Sequence, residues 1–129
     1  MKEIKEIAKA LAKGDVDAAY EARSRLDPTD EVLEHEAREV VRQAIIAYLK
    51  KGLIYKARET ESRFKLPKDA VDEAIKQAVL SSFRDGNVKR VEELRRDLPI
   101  NRTLADELIE FCASWGKPDS IACLQTVLA

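Results

Sequence analysis

Apolar residues recur at helical spacing around each of the four glycines of this chain. Seven and three residues before a glycine stand apolar side chains, such as Ile45 and Leu49 before Gly52. Two, five and twelve residues after it stands a second apolar set, which here begins with Ile54 and Ala57. These offsets place the apolar residues on one face of a helix on either side of the glycine. The pattern therefore predicts pairs of amphipathic helices that meet at a glycine.

The chain also repeats itself, because residues 39–52 read EVVRQAIIAYLKKG and residues 73–86 read EAIKQAVLSSFRDG. Glycine ends a helix at little steric cost, since it adopts the left-handed conformation readily. Proline favours helix starts, and Pro28 and Pro67 precede long helical patterns. We predict an all-α fold in a single domain, residues 1–129, with four helix hairpins. The eight predicted helices lie at about 2–13, 15–26, 29–51, 53–64, 67–85, 87–98, 102–115 and 118–128.

Three of the corners share the pattern G-x-[VI]-x-x-[AV], at Gly14–Ala19, Gly52–Ala57 and Gly86–Val91. In this respect the chain resembles the tetratricopeptide-like class of helical repeats, and the pattern extends along nearly its whole length. The W-x-x-L-G-x-x-Y signature of the family is absent, so the resemblance concerns the superfold alone. It implies a right-handed stack of antiparallel helix hairpins, an α-α superhelix that presents an extended binding surface.

In tetratricopeptide arrays the first helix of each hairpin lines a groove that holds a peptide, and basic residues there grip its carboxylates. The resemblance therefore implies that polar residues repeated on these helices bind a partner. The candidate partner-binding residues are Arg42, Gln43, Lys50, Lys76, Gln77 and Arg84. Reversing the charge of Arg42 and Lys76 together is then expected to weaken binding of an acidic partner. The alternative is that duplication copied a solvated helix face, since Glu39 and Glu73 recur as well.

Charge and motifs narrow the function class. Charged residues make up 36 % of the chain, and 23 basic residues nearly cancel 24 acidic ones, which disfavours a nucleic-acid binder. Phosphate-loop, dinucleotide-binding, zinc-protease and nucleophile-elbow motifs are absent, so we expect no enzyme and no cofactor. We predict a non-enzymatic protein- or peptide-interaction module. One alternative is a non-catalytic subunit of an enzyme complex. The other is nucleic-acid binding through the basic residues Arg84, Lys89, Arg90, Arg95 and Arg96.

Histidine and cysteine offer little chemistry in this sequence. His35 is the only histidine and lies between two glutamates, so we expect a surface residue rather than a metal ligand. Cys112 and Cys123 have no neighbouring base to activate them, and core packing is the favoured interpretation. The longest apolar run, residues 44–49, is too short to span a membrane, and the first residues contain no secretory signal. We expect a cytoplasmic protein.

The C-terminal residues predict self-association. Residues 120–129, SIACLQTVLA, include no charged side chain, although a terminal repeat normally needs a polar outer face. Trp115, Ala122 and Val127 lie off the stripe predicted to face the stack. Exposed apolar surface of this kind is typical of an interface, and two-fold dimers are its commonest form. The alternative is that the long helix predicted at 29–51 covers this end within one chain.

Overall fold

A computed structural model of the protein describes residues 2–98 and 100–113, with side chains through residue 110. Within these residues all regular secondary structure is helical, which confirms the prediction of an all-α fold. Consecutive helices are joined by short turns. The helices are α1 (Lys2–Ala12), α2 (Val16–Ser24), α3 (Glu31–Lys50), α4 (Ile54–Phe64), α5 (Lys68–Arg84), α6 (Val88–Asp97) and α7 (Arg102–Ala113).

The predicted helix bounds agree with the structure to within two residues over the described part of the chain. The helix α3 was predicted from about residue 29, just after Pro28, and it begins at Glu31. Pro28 lies in a turn, where the Asp27 carboxylate accepts hydrogen bonds from the amide and hydroxyl of Thr29. Asp30 caps the helix, because its carboxylate accepts a hydrogen bond from the amide of Leu33. The predicted helix 118–128 and the self-association residues Trp115, Ala122 and Val127 lie outside the described residues.

Gly14, Gly52 and Gly86 end the first helix of each described hairpin in the left-handed conformation, with φ between 76° and 79°. At each corner the residue after the glycine donates its N–H to the carbonyl five residues earlier, at 2.8–2.9 Å. This is the hydrogen bond of a Schellman motif, which satisfies carbonyls that the helix end leaves unpaired. The prediction that these glycines act as helix stops is confirmed.

Two of these corners continue directly into a capped second helix. The Asp15 carboxylate accepts the amide of Ala18 at 3.0 Å, and the Asn87 amide oxygen accepts that of Arg90 at 3.1 Å. At the middle corner the same position is held by Leu53, which has no side-chain cap. The backbone conformation is nevertheless similar at all three positions, so only the side chain differs.

The apolar residues predicted from the glycine offsets form the core. Ile45 and Val79, seven residues before their glycines, are buried, as are Ala19, Ala57 and Val91 five residues after. The remaining offset positions that the structure describes are buried, except for four that are half-buried. Those four are Ile54, Phe64, Val88 and Ile109. The burial prediction is therefore confirmed for most positions, and the half-buried ones lie in the later hairpins.

We call α1, α3, α5 and α7 the first helices and α2, α4 and α6 the second helices. α1, α3 and α5 each pack against the next first helix and against the second helix that follows, while α2 also packs against α4. Arg25, just after α2, forms an ion pair with Glu6 in α1 at 2.7 Å. This contact joins the C-terminal end of α2 to the N-terminal half of α1, as in an antiparallel hairpin.

Candidate functional site

A groove of about 640 Å³ runs between helices α1 and α3. We call it the α1–α3 groove. From α1 it is lined by Ile4, Ala8, Leu11 and Ala12. From α3 it is lined by the apolar Val40, Ala44, Ala47 and Tyr48 and by the polar His35, Glu36, Glu39, Gln43 and Lys51. Because alanines face alanines across the two helices, the groove remains open although the helices pack together.

Tyr48 fixes the two walls of this groove to each other. Its ring is buried, and its hydroxyl donates a hydrogen bond to the backbone carbonyl of Leu11. Burial, together with the carboxylate of Glu59, raises the pKa of Tyr48, so the hydroxyl keeps its proton at physiological pH. The bond joins the C-terminal ends of α1 and α3, so the groove is held at a set width.

The structure brings Arg42 and Gln43 together around one carboxylate. Arg42 Nε lies 3.1 Å from Glu39 Oε2, and Gln43 Nε2 lies 3.2 Å from Glu39 Oε1. These bonds lower the pKa of Glu39. Arg42 is half-buried rather than solvated, its Nη1 has no hydrogen-bond partner in the described residues, and Glu73 acts on it electrostatically. Gln43 lines the α1–α3 groove, whereas Arg42 lies outside its lining.

Lys76 lies in a different place, a recess of about 210 Å³ between α5 and α7. Its ammonium is 3.3 Å from the carboxylate of Glu107, and Asp69, Asp72 and Glu73 line the same recess. Carboxylates thus outnumber the lysine at this position. An acidic ligand would have to displace Glu107 and approach three other carboxylates, which Coulomb repulsion disfavours.

The remaining candidates lie apart from both openings. Lys50 and Arg84 are exposed at the C-terminal ends of α3 and α5, and Gln77 is half-buried in α5. The linings of the α1–α3 groove and of the α5–α7 recess include none of these three. The six residues therefore do not form one continuous site in the structure, although Arg42 and Gln43 share a partner.

The structure describes only some of the other residues considered in the sequence, namely the histidine, the alternative nucleic-acid contacts and the cysteines. His35 is exposed at the groove, as expected for a surface residue, and the described residues contain no cluster of three or more metal-ligating side chains. Among the alternative nucleic-acid contacts, Arg90 pairs with Glu93 and Arg96 with Asp97. The side chain of Cys112 and the whole of Cys123 lie outside the described residues.

Sequence reasoning missed a second opening, on the second helices. This tyrosine recess, of about 650 Å³, lies between α2 and α4. It is lined by Tyr20, Tyr55, Arg58, Glu59, Ser62, Arg63 and Lys65. Its signal in the sequence is weak, because the two tyrosines are thirty-five positions apart and belong to different repeats. The α1–α3 groove had a clearer signal, since alanines four apart in α1 and three apart in α3 mark an open helix face.

Comparisons with protein-family profiles, with characterised proteins and with solved structures find no significant match. The described part of the chain contains no helix with the length and apolar character needed to cross a bilayer.

Proposed function

We propose that this protein is a non-enzymatic interaction module of the tetratricopeptide-like kind, acting in the cytoplasm, which holds a peptide segment of a partner protein. The observation that supports this function is the α1–α3 groove, an apolar channel of about 640 Å³ between two first helices. Grooves between helices that expose apolar walls commonly receive a helix or an extended segment of another protein. The recurrent first helices supply the surface, and the groove supplies the anchor point.

The lining of the groove defines the partner's apolar side. Ala8, Ala12 and Ala47 are exposed, so the floor of the groove is apolar and reachable from solvent. Large apolar side chains of a partner would fill the space that these alanines leave, and each fully buried Leu- or Phe-sized side chain contributes about 1.5–3 kcal/mol. An amphipathic helix with anchors spaced by three and four residues fits a straight channel between two helices.

Charge around the groove defines the partner's polar side. Glu36 and Glu39 lie in its lining within one turn of α3, and Lys51 lies at the opposite end of that helix. Glu36 has no ion-pair partner among the described residues, so it is available to a basic side chain of the peptide. An acidic segment would instead compete with Glu39 for Arg42. We therefore propose basic residues beside Glu36 and an acidic residue near Lys51.

Selection of displayed peptides on the immobilised chain tests this function. Enriched peptides should carry apolar residues at helical spacing with a basic flank, and should bind in solution by fluorescence anisotropy. Ala47→Glu places a carboxylate in the exposed floor and is expected to reduce affinity at least about tenfold, because a buried apolar contact of 1.4 kcal/mol or more is lost.

Val32→Glu is the matched control, since Val32 is on the same helix, 67 % exposed and outside the groove. It should leave affinity unchanged. Equal binding by wild type and Ala47→Glu would place the peptide elsewhere and contradict the groove. Enrichment of acidic peptides that are weakened by reversing Arg42 and Lys76 would instead favour the basic residues as the contact surface.

A further inference from the structure

The tyrosine recess combines aromatic rings with positively charged side chains. Two of the three tyrosines of the chain line it, although aromatic residues make up only 5 % of the sequence. Three cations line it as well, against the single carboxylate of Glu59. The recess shares no residue with the α1–α3 groove, so its function is independent of the proposed peptide binding.

Tyr20 is held in place, and its position extends the aromatic surface. Its ring meets the ring of Phe64 edge to face, with the centroids 5.8 Å apart. The guanidinium carbon of Arg63 lies 4.6 Å from the Tyr20 centroid, and Asp17 holds the same guanidinium at 3.2 Å. A tyrosine and a planar guanidinium therefore form one fixed stack, since cation–π contact and ion pairing both orient the arginine.

Tyr55 is the second aromatic surface and is 83 % exposed, the most exposed large apolar or aromatic side chain in the described residues. Arg58 and Lys65 stand beside it in the recess, and neither has a carboxylate within ion-pair distance among the described residues. A solvated ring beside two uncompensated cations is able to accept a ligand without first breaking an internal contact.

Lys65, which also lines the tyrosine recess, has an unusual backbone conformation. It ends α4 in the left-handed conformation, with φ 52° and ψ 50°, and the following amide bonds to the carbonyl of Glu61. The first helices end in the same motif with glycine, and Lys65 is the one non-glycine residue with positive φ among those described. A side chain carries a steric cost in this conformation, so glycine would be the more stable choice here. The lysine at this position places a cation at the recess, although glycine would suit the backbone better.

From these contacts we infer that the tyrosine recess is a binding site for single-stranded nucleic acid. Every base offers a planar face that stacks on tyrosine or arginine, and its phosphate pairs with Arg58 and Lys65. An acidic peptide would use the cations but leave both rings uncovered. A duplex hides the faces of its bases in the stack, whereas a single strand exposes them. Attraction of phosphate depends on the cations of this recess alone, because the chain as a whole has a net charge of −1.

Fluorescence anisotropy at low salt, with a labelled oligouridylate and oligothymidylate of about 12 nucleotides, tests the inference. With phosphate contacts from Arg58 and Lys65, the logarithm of the association constant should fall with a slope of about −1.4 against the logarithm of salt concentration. Tyr55→Ala should weaken binding about tenfold, while Tyr55→Phe keeps the ring and should bind as the wild type does.

Lys65→Gly separates binding from folding, because the two effects have opposite signs. It should weaken nucleic-acid binding several-fold and flatten the salt dependence, yet raise Tm by a few degrees by relieving the left-handed side chain. Lys9→Ala is the charge control, because Lys9 is exposed on α1 and lies outside the tyrosine recess. Val32→Ala is the apolar control, and both variants should leave affinity unchanged.

Several results would overturn the site. No measurable binding at low salt, or affinity unaffected by both Tyr55→Ala and Lys65→Gly, would exclude it. If heparin or a polyglutamate peptide bound as tightly as the oligonucleotides and Tyr55→Ala did not weaken the oligonucleotides, the recess would be a simple cation cluster. A fall in Tm for Lys65→Gly would show that the lysine has a structural role instead.

Discussion

At the residue scale, the three glycine corners share a backbone but not a cap. Asp15 and Asn87 each accept an amide at the start of the second helix, whereas Leu53 at the same position accepts none. Leu53 is also 48 % exposed, so little apolar burial would be lost by replacing it. In the middle hairpin, the amide of Lys56 therefore lacks the side-chain acceptor that the other two corners have. A suitable side chain at position 53 would supply one.

We predict that Leu53→Asp raises the free energy of unfolding by about 1 kcal/mol, the usual contribution of an N-cap. Urea denaturation measures it. Leu53→Ala is the control, because it removes the same apolar side chain without adding a hydrogen-bond acceptor. If the aspartate variant is no more stable than the alanine variant, the cap does not form.

Sequence reasoning located the corners correctly because glycine, aspartate and asparagine have strong local preferences at helix ends. It could not find Lys65 as a fourth left-handed residue, since lysine has no such preference. Local chemistry thus predicts where helices end when the residue there is specialised. It fails where an ordinary residue adopts the left-handed conformation.

At the scale of helices, the corner between α3 and α4 is covered by an arginine from α6. A Cβ built on Gly52 would lie 1.9 Å from Arg90 Nη1, whereas one on Gly86 would meet nothing within 4 Å. Arg90 is half-buried and pairs with Glu93, so moving its guanidinium away would disturb that contact. The middle corner therefore favours glycine for space as well as for conformation.

Gly52→Ala should accordingly destabilise the protein more than Gly86→Ala, which costs about 1 kcal/mol through backbone conformation alone. In an Arg90→Ala background the two substitutions should cost the same, because the clash is gone. Thermal denaturation of the five variants measures the difference. Equal costs in the wild-type background would mean that Arg90 rearranges freely.

The helical pattern of the sequence predicts which residues are buried, but it does not predict the ion pairs on the surface. Aligned offsets correctly identified buried residues such as Ile45, because burial follows directly from helical periodicity. They also placed Arg42 and Lys76 at equivalent positions, yet these side chains meet different carboxylates, Glu39 and Glu107. Arg42 pairs within its own helix, whereas the partner of Lys76 lies on the neighbouring helix α7, which the offsets do not describe.

At the scale of the whole molecule, helix–helix contacts are mainly those between successive first helices and between the two helices of one hairpin. α3 packs against α1, α4 and α5, and α5 packs against α3, α6 and α7, whereas α1 and α7 each have one neighbouring first helix in the described structure. In such an arrangement stability is close to a sum of repeat and interface terms, so the ends open at a lower free energy than the centre.

Hydrogen exchange followed by mass spectrometry should therefore show graded protection. Amides of α3 and α5 are expected to exchange slowest and those of α1 faster, because opening α1 breaks fewer interfaces. The buried hydroxyl of Tyr48 joins α1 to α3, so Tyr48→Phe should accelerate exchange in α1 more than in α5. Uniform protection throughout would contradict a stack that opens from its ends.

The three corners have a consequence for modularity. Gly52 and Gly86 have nearly the same φ, 79° and 76°, and each precedes a residue of matching conformation. A segment cut after Gly52 and again after Gly86 therefore begins and ends in one backbone geometry. A tandem copy of residues 53–86 would meet a corner of nearly the same backbone conformation at either junction, so the molecule can be lengthened by a whole hairpin.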